Sequence, residues 1–240
     1  MKPMISLYGT AINIDMWQRF YASIGENKAT FEVIFAGPND PAFTLPDNFR
    51  HIKTNVKPTQ CIEIAARQAN ADLIMQVPDD VVFTEEHPLD KLYEAYMHHN
   101  NTKLILSCRF VSNGKDMSRT MHRFFVNDST SPIVALSGLM SRQLYTEIGG
   151  IDRNFIAVMF CIDIVMRIYA LGGTVVLSDI HLNEYHTKGL YQEFYKYDRA
   201  LLESLWSLNG KCHFNRTQPF EPFSDENILI ESQGPKGRWI

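Results

Sequence analysis

The first hundred residues alternate between two kinds of segment, and that alternation leaves few architectures open. Met4 to Tyr8, "FEVIFAG" (Phe31 to Gly37), a short run around Phe49 to Lys53 and "LIMQVPDDVVF" (Leu73 to Phe83) read as apolar strands. Between the first two, Trp17, Phe20, Tyr21 and Ile24 recur at the i, i+3, i+4, i+7 spacing of one helical face. Ile62, Ala65, Ala66 and Ala69 do the same in "KPTQCIEIAARQA", where Glu63 stands four residues before Arg67 and can pair with it. "HPLDKLYEAYM" repeats the pattern with Leu89, Leu92, Tyr93 and Tyr96, ahead of a strand in "KLILSC". Strands alternating with helices predict an α/β fold with a mostly parallel sheet covered on both faces, and such sheets take ligands beyond the carboxyl ends of their strands.

The second half is less regular. A polar loop from Ser112 to Ser131 precedes the apolar "PIVALSGLM"; Ser141 is placed to cap a helix over "RQLYTEI", which Gly149 and Gly150 would end. Ile164, Val165, Ile168 and Leu171 make a further helical stripe, stopped at Gly172-Gly173 before the strand "TVVL". We expect a single domain over residues 1–230, with 1–110 forming its ligand-binding half and 111–230 a less regular half, followed by a polar tail over 231–240. The length of 240 residues and 45% hydrophobic content supply a substantial core.

Charge excludes one class of partner. A net charge of -4 lacks the basic footprint of a general nucleic-acid binder. Cys61, Cys108, Cys161 and Cys212 lie about fifty residues apart, without the close pairs of zinc or redox motifs, and read as reduced thiols. The most apolar later run carries Asp163 and Arg167, which argues against a transmembrane segment. With no apolar leader at the start, the expected location is cytoplasmic.

The sharpest chemical signal is Asp79-Asp80, two adjacent carboxylates closing an apolar strand. Hard oxygen ligands at a strand end suit Mg²⁺ or Mn²⁺, which in turn neutralises a diphosphate. The alternative is a pair of solvated turn residues. His186 is an imidazole that can complete such a site from far along the chain. Asp163, inside an apolar run, has two readings: a helix N-cap, or a general base facing the crevice. Arg67 and Lys57 offer positive charge near the same strand ends.

Several of these segments, in this order, resemble the GT-A fold glycosyltransferases, particularly the inverting family-2 type. The resemblance runs from about Met4 to Gly189. It is carried by "ISLYGTAIN" with its following helix, "FEVIFAGPND", "KPTQCIEIAARQANADLIMQVPDD", "SRQLYTEIGGIDRNF" and "IDIVMRIYALGG". It implies a Rossmann-like sheet, a nucleotide-diphosphate sugar donor such as a UDP-sugar, Mn²⁺ or Mg²⁺, and a glycan or other hydroxyl acceptor. Within it, Pro78-Asp79-Asp80 matches the acidic motif: Asp79 serves the ribose or the metal, Asp80 ligates the metal, and His186 matches a late histidine that completes the site. Thr10 and Arg67 match nucleotide-binding positions, with Tyr8 close by, and Asn39 and Asp40 fall to the base. Alignment on "VMRI" sets Phe160-Cys161 opposite the family's Glu-Asp signature, leaving Asp163 as the candidate base and Asp152 as the second. Nucleotidyl transfer to a sugar phosphate ranks lower, because "YGTAINID" has one Gly and no Lys or Arg. A non-catalytic nucleotide-sugar or glycan-binding module is the third class.

Overall fold

A computed structural model describes residues 2–117, 135–185, 192–206 and 215–236. Strands β1 (Ile5–Thr10), β2 (Phe31–Gly37), β3 (Phe49–Lys53) and β4 (Leu73–Gln76) form a parallel block in the order β3-β2-β1-β4. The sheet continues through β8 (Gly138–Ser141), β6 (Leu104–Ser112) and β9 (Thr174–Glu184) to β5 (Val81–Phe83), and β7 (Lys115–Asp116) pairs with β6. β8 runs antiparallel to both β4 and β6, β9 is parallel to β6, and β5 is antiparallel to β9. The sheet is therefore mixed, with the expected parallel strands confined mainly to one half.

Helices α1 (Ile14–Ile24) and α3 (Pro88–His98) cover one face, while α2 (Pro58–Arg67), α5 (Phe160–Ala170) and α6 (Gln192–Trp206) cover the other; α4 (Arg142–Glu147) is short. Alternate residues of each strand enter opposite cores, as strand pleating requires. Leu7, Val33 and Phe35 join Trp17 and Phe20 on one side, and Tyr8, Ile34 and Ala36 join Ile62 and Ala65 on the other.

"LIMQVPDDVVF" is two strands. β4 stops at Gln76, one further bond runs from Val77 N to Tyr8 O (2.8 Å), and β5 resumes at Val81 against Glu184 of β9. Four strand spacings separate β4 from β5 in the sheet order, about 19 Å if the sheet were flat. The five residue steps from Gln76 to Val81 reach roughly 17 Å at full extension. The sheet must curl, and a register shift between Ser107 and Arg109 in the β6–β9 pair marks a bend. Curling brings the end of β9 to the Asp79-Asp80 turn, where Tyr185 N donates to Asp80 O (2.8 Å).

Ser141 caps α4 as expected, its Oγ accepting from Leu144 N (3.0 Å), and Gly149 and Gly150 follow the helix at φ 84° and 77°. Asp163 is not an N-cap. α5 begins earlier, after Met159 at φ 63°, and Asp163 lies one turn inside. The described part of the C-terminal tail is docked: Ser232 and Gln233 bond to Lys57 and Gln60 of the α2 region.

Candidate functional site

The carboxyl ends of β1, β2, β3 and β4 meet in a tight corner. A Cβ on Gly9 would overlap the Val77 carbonyl, and one on Gly37 would overlap the Ala11 carbonyl, so only glycine lets these backbones approach. The loop after β1 then turns directly into α1, and Asp79 closes this turn from 66 residues away. Its Oδ2 accepts from Ile12 N (2.7 Å), Asn13 N (2.5 Å) and Trp17 Nε1 (3.2 Å), and its Oδ1 accepts from Asn13 Nδ2 (2.9 Å). Asn13, the N-cap of α1, makes no side-chain cap bond of its own. The distant carboxylate instead fastens the Ile12 and Asn13 N–H groups just ahead of the helix, with its charge at the positive end of the helix dipole.

Burial pushes the Asp79 carboxyl above its ordinary range, and the four donors offset only part of that rise. All four are neutral, so the ionised side chain keeps its full negative charge. Asp80 beside it is also buried, at 8% exposure. Thr10 Oγ1, at the end of β1, is buried and has no hydrogen-bond partner among the described residues. An orphaned hydroxyl is costly unless something arrives to bond it. Tyr8 is buried on the α2 face, edge-on to Tyr145 at 6.0 Å; burial, then the nearby Glu63 charge, pushes its phenol far up. Asn39 and Asp40 stand exposed on the loop after β2, with Asp40 paired to Lys53 at the end of β3.

Arg67 is not in this corner. α2 runs back antiparallel to the strands, so its ten residues carry Arg67 about 15 Å toward their amino ends. Its neighbours there are Gln68, whose carbonyl accepts from Arg50 (2.8 Å), and Asn70, which donates to Glu32 near the start of β2. Arg67 bonds Glu63 (2.7 Å), Phe223 O (2.8 Å) and Asp225. Its i, i+4 spacing from Glu63 signalled a pair, and the pair forms. Lys57, at the opposite end of α2, does lie beside the crevice end. It is wholly buried, its Nζ donates to Arg153 O, and desolvation lowers it to about 7 although Asp198 and Asp152 pull it upward.

Asp163 belongs to a different assembly. Its Oδ2 accepts from Arg167 Nε (2.8 Å), and its Oδ1 accepts from Trp206 Nε1 (3.0 Å) and Arg216 Nε (3.2 Å). Arg216 also pairs with Asp152, which accepts from Asn154 N (2.8 Å) as well. Arg167 reaches on to Ile148 O and Gly150 O and stacks on Phe220 at 4.6 Å. Both expected bases are thus tied into one buried network of two carboxylates and two guanidiniums. Asp163 and Arg167 repeat the i, i+4 spacing of Glu63 and Arg67, a signal of pairing that the sequence carried.

The expected ligand His186 lies outside the described residues, and among those residues no group of three or more His, Cys, Asp or Glu is placed to hold a metal. The chemistry of the Asp79-Asp80 corner still suits Mg²⁺ or Mn²⁺, because these ions are held by one or two carboxylates with substrate phosphates and water completing the shell. Were such an ion bound, Asp80 would offer the hard oxygen, and Asp79, engaged by four donors, would add its charge beside it.

No family model and no curated protein matches this sequence. Solved structures do. The mannosyltransferase PcManGT from Pyrobaculum calidifontis, in complex with GDP-Man and Mn²⁺, superposes with a TM-score of 0.59 at 13% identity, over 83% of this chain and 61% of its own. S. aureus TarS 1–349 superposes with a TM-score of 0.61 at 13% identity, over 89% of this chain and 67% of its own. This chain has the GT-A fold. TarS 1–349 in complex with UDP-GlcNAc gives a TM-score of 0.58 at 13% identity, over 89% of this chain and 68% of its own. The chain spans about 61% of the length of the mannosyltransferase. Among the described residues of this GT-A domain, no helix is long and apolar enough to cross a membrane.

Proposed function

We propose that this GT-A domain transfers a sugar from a nucleotide-diphosphate sugar to an acceptor hydroxyl, with Mn²⁺ or Mg²⁺ held at Asp80. The observation that carries this reading is Asp79, a buried carboxylate just beyond β4 and against the end of β1, whose four donors are all neutral. Asp79 spends its oxygens on neutral donors, so its charge when ionised is not cancelled by them and a divalent cation beside it would be favoured. The ligands of the structural neighbours, GDP-Man with Mn²⁺ in one and UDP-GlcNAc in another, support the same class of donor. A bound divalent cation would neutralise the charge that develops on the departing diphosphate.

The chain's own residues then have separate duties. Asp79 fixes the β1–α1 turn, so that Thr10 and the loop from Ala11 to Asn13 present a rigid edge to the donor. Thr10 Oγ1 supplies a hydrogen bond to it, which relieves its unpaired state. Asn39 and Asp40 border the nucleoside side from the exposed loop after β2. We assign Asp163 to bracing the first turn of α5, since two arginines and Trp206 already share its lone pairs. That same engagement of Asp163 and Asp152 favours a second reading, in which the domain binds a nucleotide sugar without transferring it.

Two measurements separate these possibilities. UDP or GDP should raise the melting temperature further with Mn²⁺ present than without it, and Asp80→Asn should remove that Mn²⁺-dependent part; an equal response in the variant would sink the metal assignment. Donor hydrolysis by the wild type, followed as nucleoside diphosphate released, supports transfer chemistry. Binding without any release supports the second reading.

A further inference from the structure

The outward face of α2 is polar and yet covered. Ile62, Ala65 and Ala66 point to the sheet side, while Gln60, Glu63 and Arg67 form the opposite stripe, which an amphipathic helix would leave to water. In the structure Gln60 is fully buried, and Glu63 is 3% exposed beneath Tyr145 and Ile151, whose hydroxyl and N–H donate to its Oε2. The chain's own C-terminal segment lies across this side of α2, running antiparallel to the helix. Phe223 O and Asp225 meet Arg67 at one end. Gln60 Nε2 donates to Ile228 O (2.7 Å) and Glu231 O (2.8 Å), and its Oε1 accepts from Gln233 N (2.8 Å). At the crevice end, Lys57 N donates to Ser232 Oγ (3.2 Å) and Thr54 Oγ1 donates to Leu229 O (2.5 Å).

Thr54 is the link to the ligand corner. Its N–H donates to Gly37 O (3.0 Å), and Gly37 lies against Ala11 at the end of β1. The C-terminal segment therefore reaches the residue that follows β3, at the carboxyl end of that strand. Phe223 (3% exposed) anchors the start of the segment in the core and Ile228 packs against it, whereas Leu229 and Ile230, nearer the crevice end, are 48% and 70% exposed. Its attachment at this end is polar and directional, with the Gln60 amide as its centre.

We infer that residues 223–234 form an outer wall of the crevice on its nucleoside side, and that Gln60 is the positioning residue that holds this wall in register. The inference rests on the donor reading above, because ligands of such sheets lie beyond the carboxyl ends of their strands. Gln60 acts through the segment; it touches no reacting atom.

The test is calorimetric titration of UDP and of GDP, each with Mn²⁺, into the 240-residue chain and into its Gln60→Leu and Thr54→Val variants. Both replacements are near in size to the original residue, and each removes bonds to the segment. Expected are an apo melting temperature within a few degrees of wild type, faster amide exchange over residues 224–234, and affinity for the preferred nucleotide at least about tenfold weaker. Loosened exchange with unchanged affinity would overturn the wall, since a merely structural segment behaves in that way. Tighter binding would overturn it too, by showing that the segment obstructs the crevice. If the wild type bound neither nucleotide with Mn²⁺, the donor reading itself would fall, a result distinct from binding that both variants retain. Should Gln60→Leu not fold, Thr54→Val carries the same outcomes alone.

Discussion

Two regions of this molecule bury carboxylates, and they balance the charge in opposite ways. At the Asp79-Asp80 corner, the solvation lost by Asp79 is replaced by two backbone N–H groups, an indole and an amide, all neutral. Around Asp163 and Asp152, it is replaced by Arg167 and Arg216, so the formal charges sum to zero. Hydrogen bonds from neutral groups hold a carboxylate in place without cancelling its field; a guanidinium does both. Asp79 therefore keeps its field, whereas the other region is a brace between α5, α6, the loop before α5 and the stretch that carries Arg216. Burial alone does not distinguish them. The identity of the donors does.

The sharpest way to break this contrast is to remove a guanidinium. Arg167→Met should leave Asp163 and Asp152 to share Arg216 alone and release the Ile148 and Gly150 carbonyls, at a cost of about 3–5 kcal/mol in chemical denaturation. A loss under about 1 kcal/mol would mean that the network is not a brace. A smaller effect is expected from Lys57, the buried amine beside Asp152 and Asp198. Its folded value of about 7 lies below its ordinary 10.5, so the unfolded chain holds the extra proton between those limits. Stability from this residue is complete above about 10.5 and is lost as pH falls through 7. Lys57→Met should thus melt with a shallower pH dependence than wild type between pH 7 and 10; identical slopes would place the amine's ordinary titration in the folded state. The smallest change belongs to the exposed Asp40–Lys53 pair, where Asp40→Ala should move stability by less than about 0.5 kcal/mol. Calorimetry of that variant with UDP or GDP then reports on the nucleoside side without a folding penalty to subtract.

Much of the first half was legible because its signals are local. Periodicity located α1, α2 and α3, strand composition located β1 to β4, and Ser141 with Gly149-Gly150 bounded α4. Three features were not legible, each for a non-local reason. The apolar run through Asp79-Asp80 looked continuous, since nothing within it shows that β5 pairs with β9 a hundred residues later. Asp163 looked free to act as a base, because Trp206 and Arg216, 43 and 53 residues away, are invisible to spacing. Arg67 looked close to the acidic pair in sequence, but helix direction sends it to the other end of the sheet.

The sequence by itself determined the α/β class, the elements of the parallel block and the placing of two acids at a strand end. Hydrophobic period and glycine position are local properties, and they specify local backbone. Only the tertiary structure decided which buried carboxylates meet guanidiniums and which, like Asp79, meet neutral donors. Solvation lost by a carboxylate is recovered from whatever donors the fold brings within about 3 Å, and those donors come from anywhere in the chain.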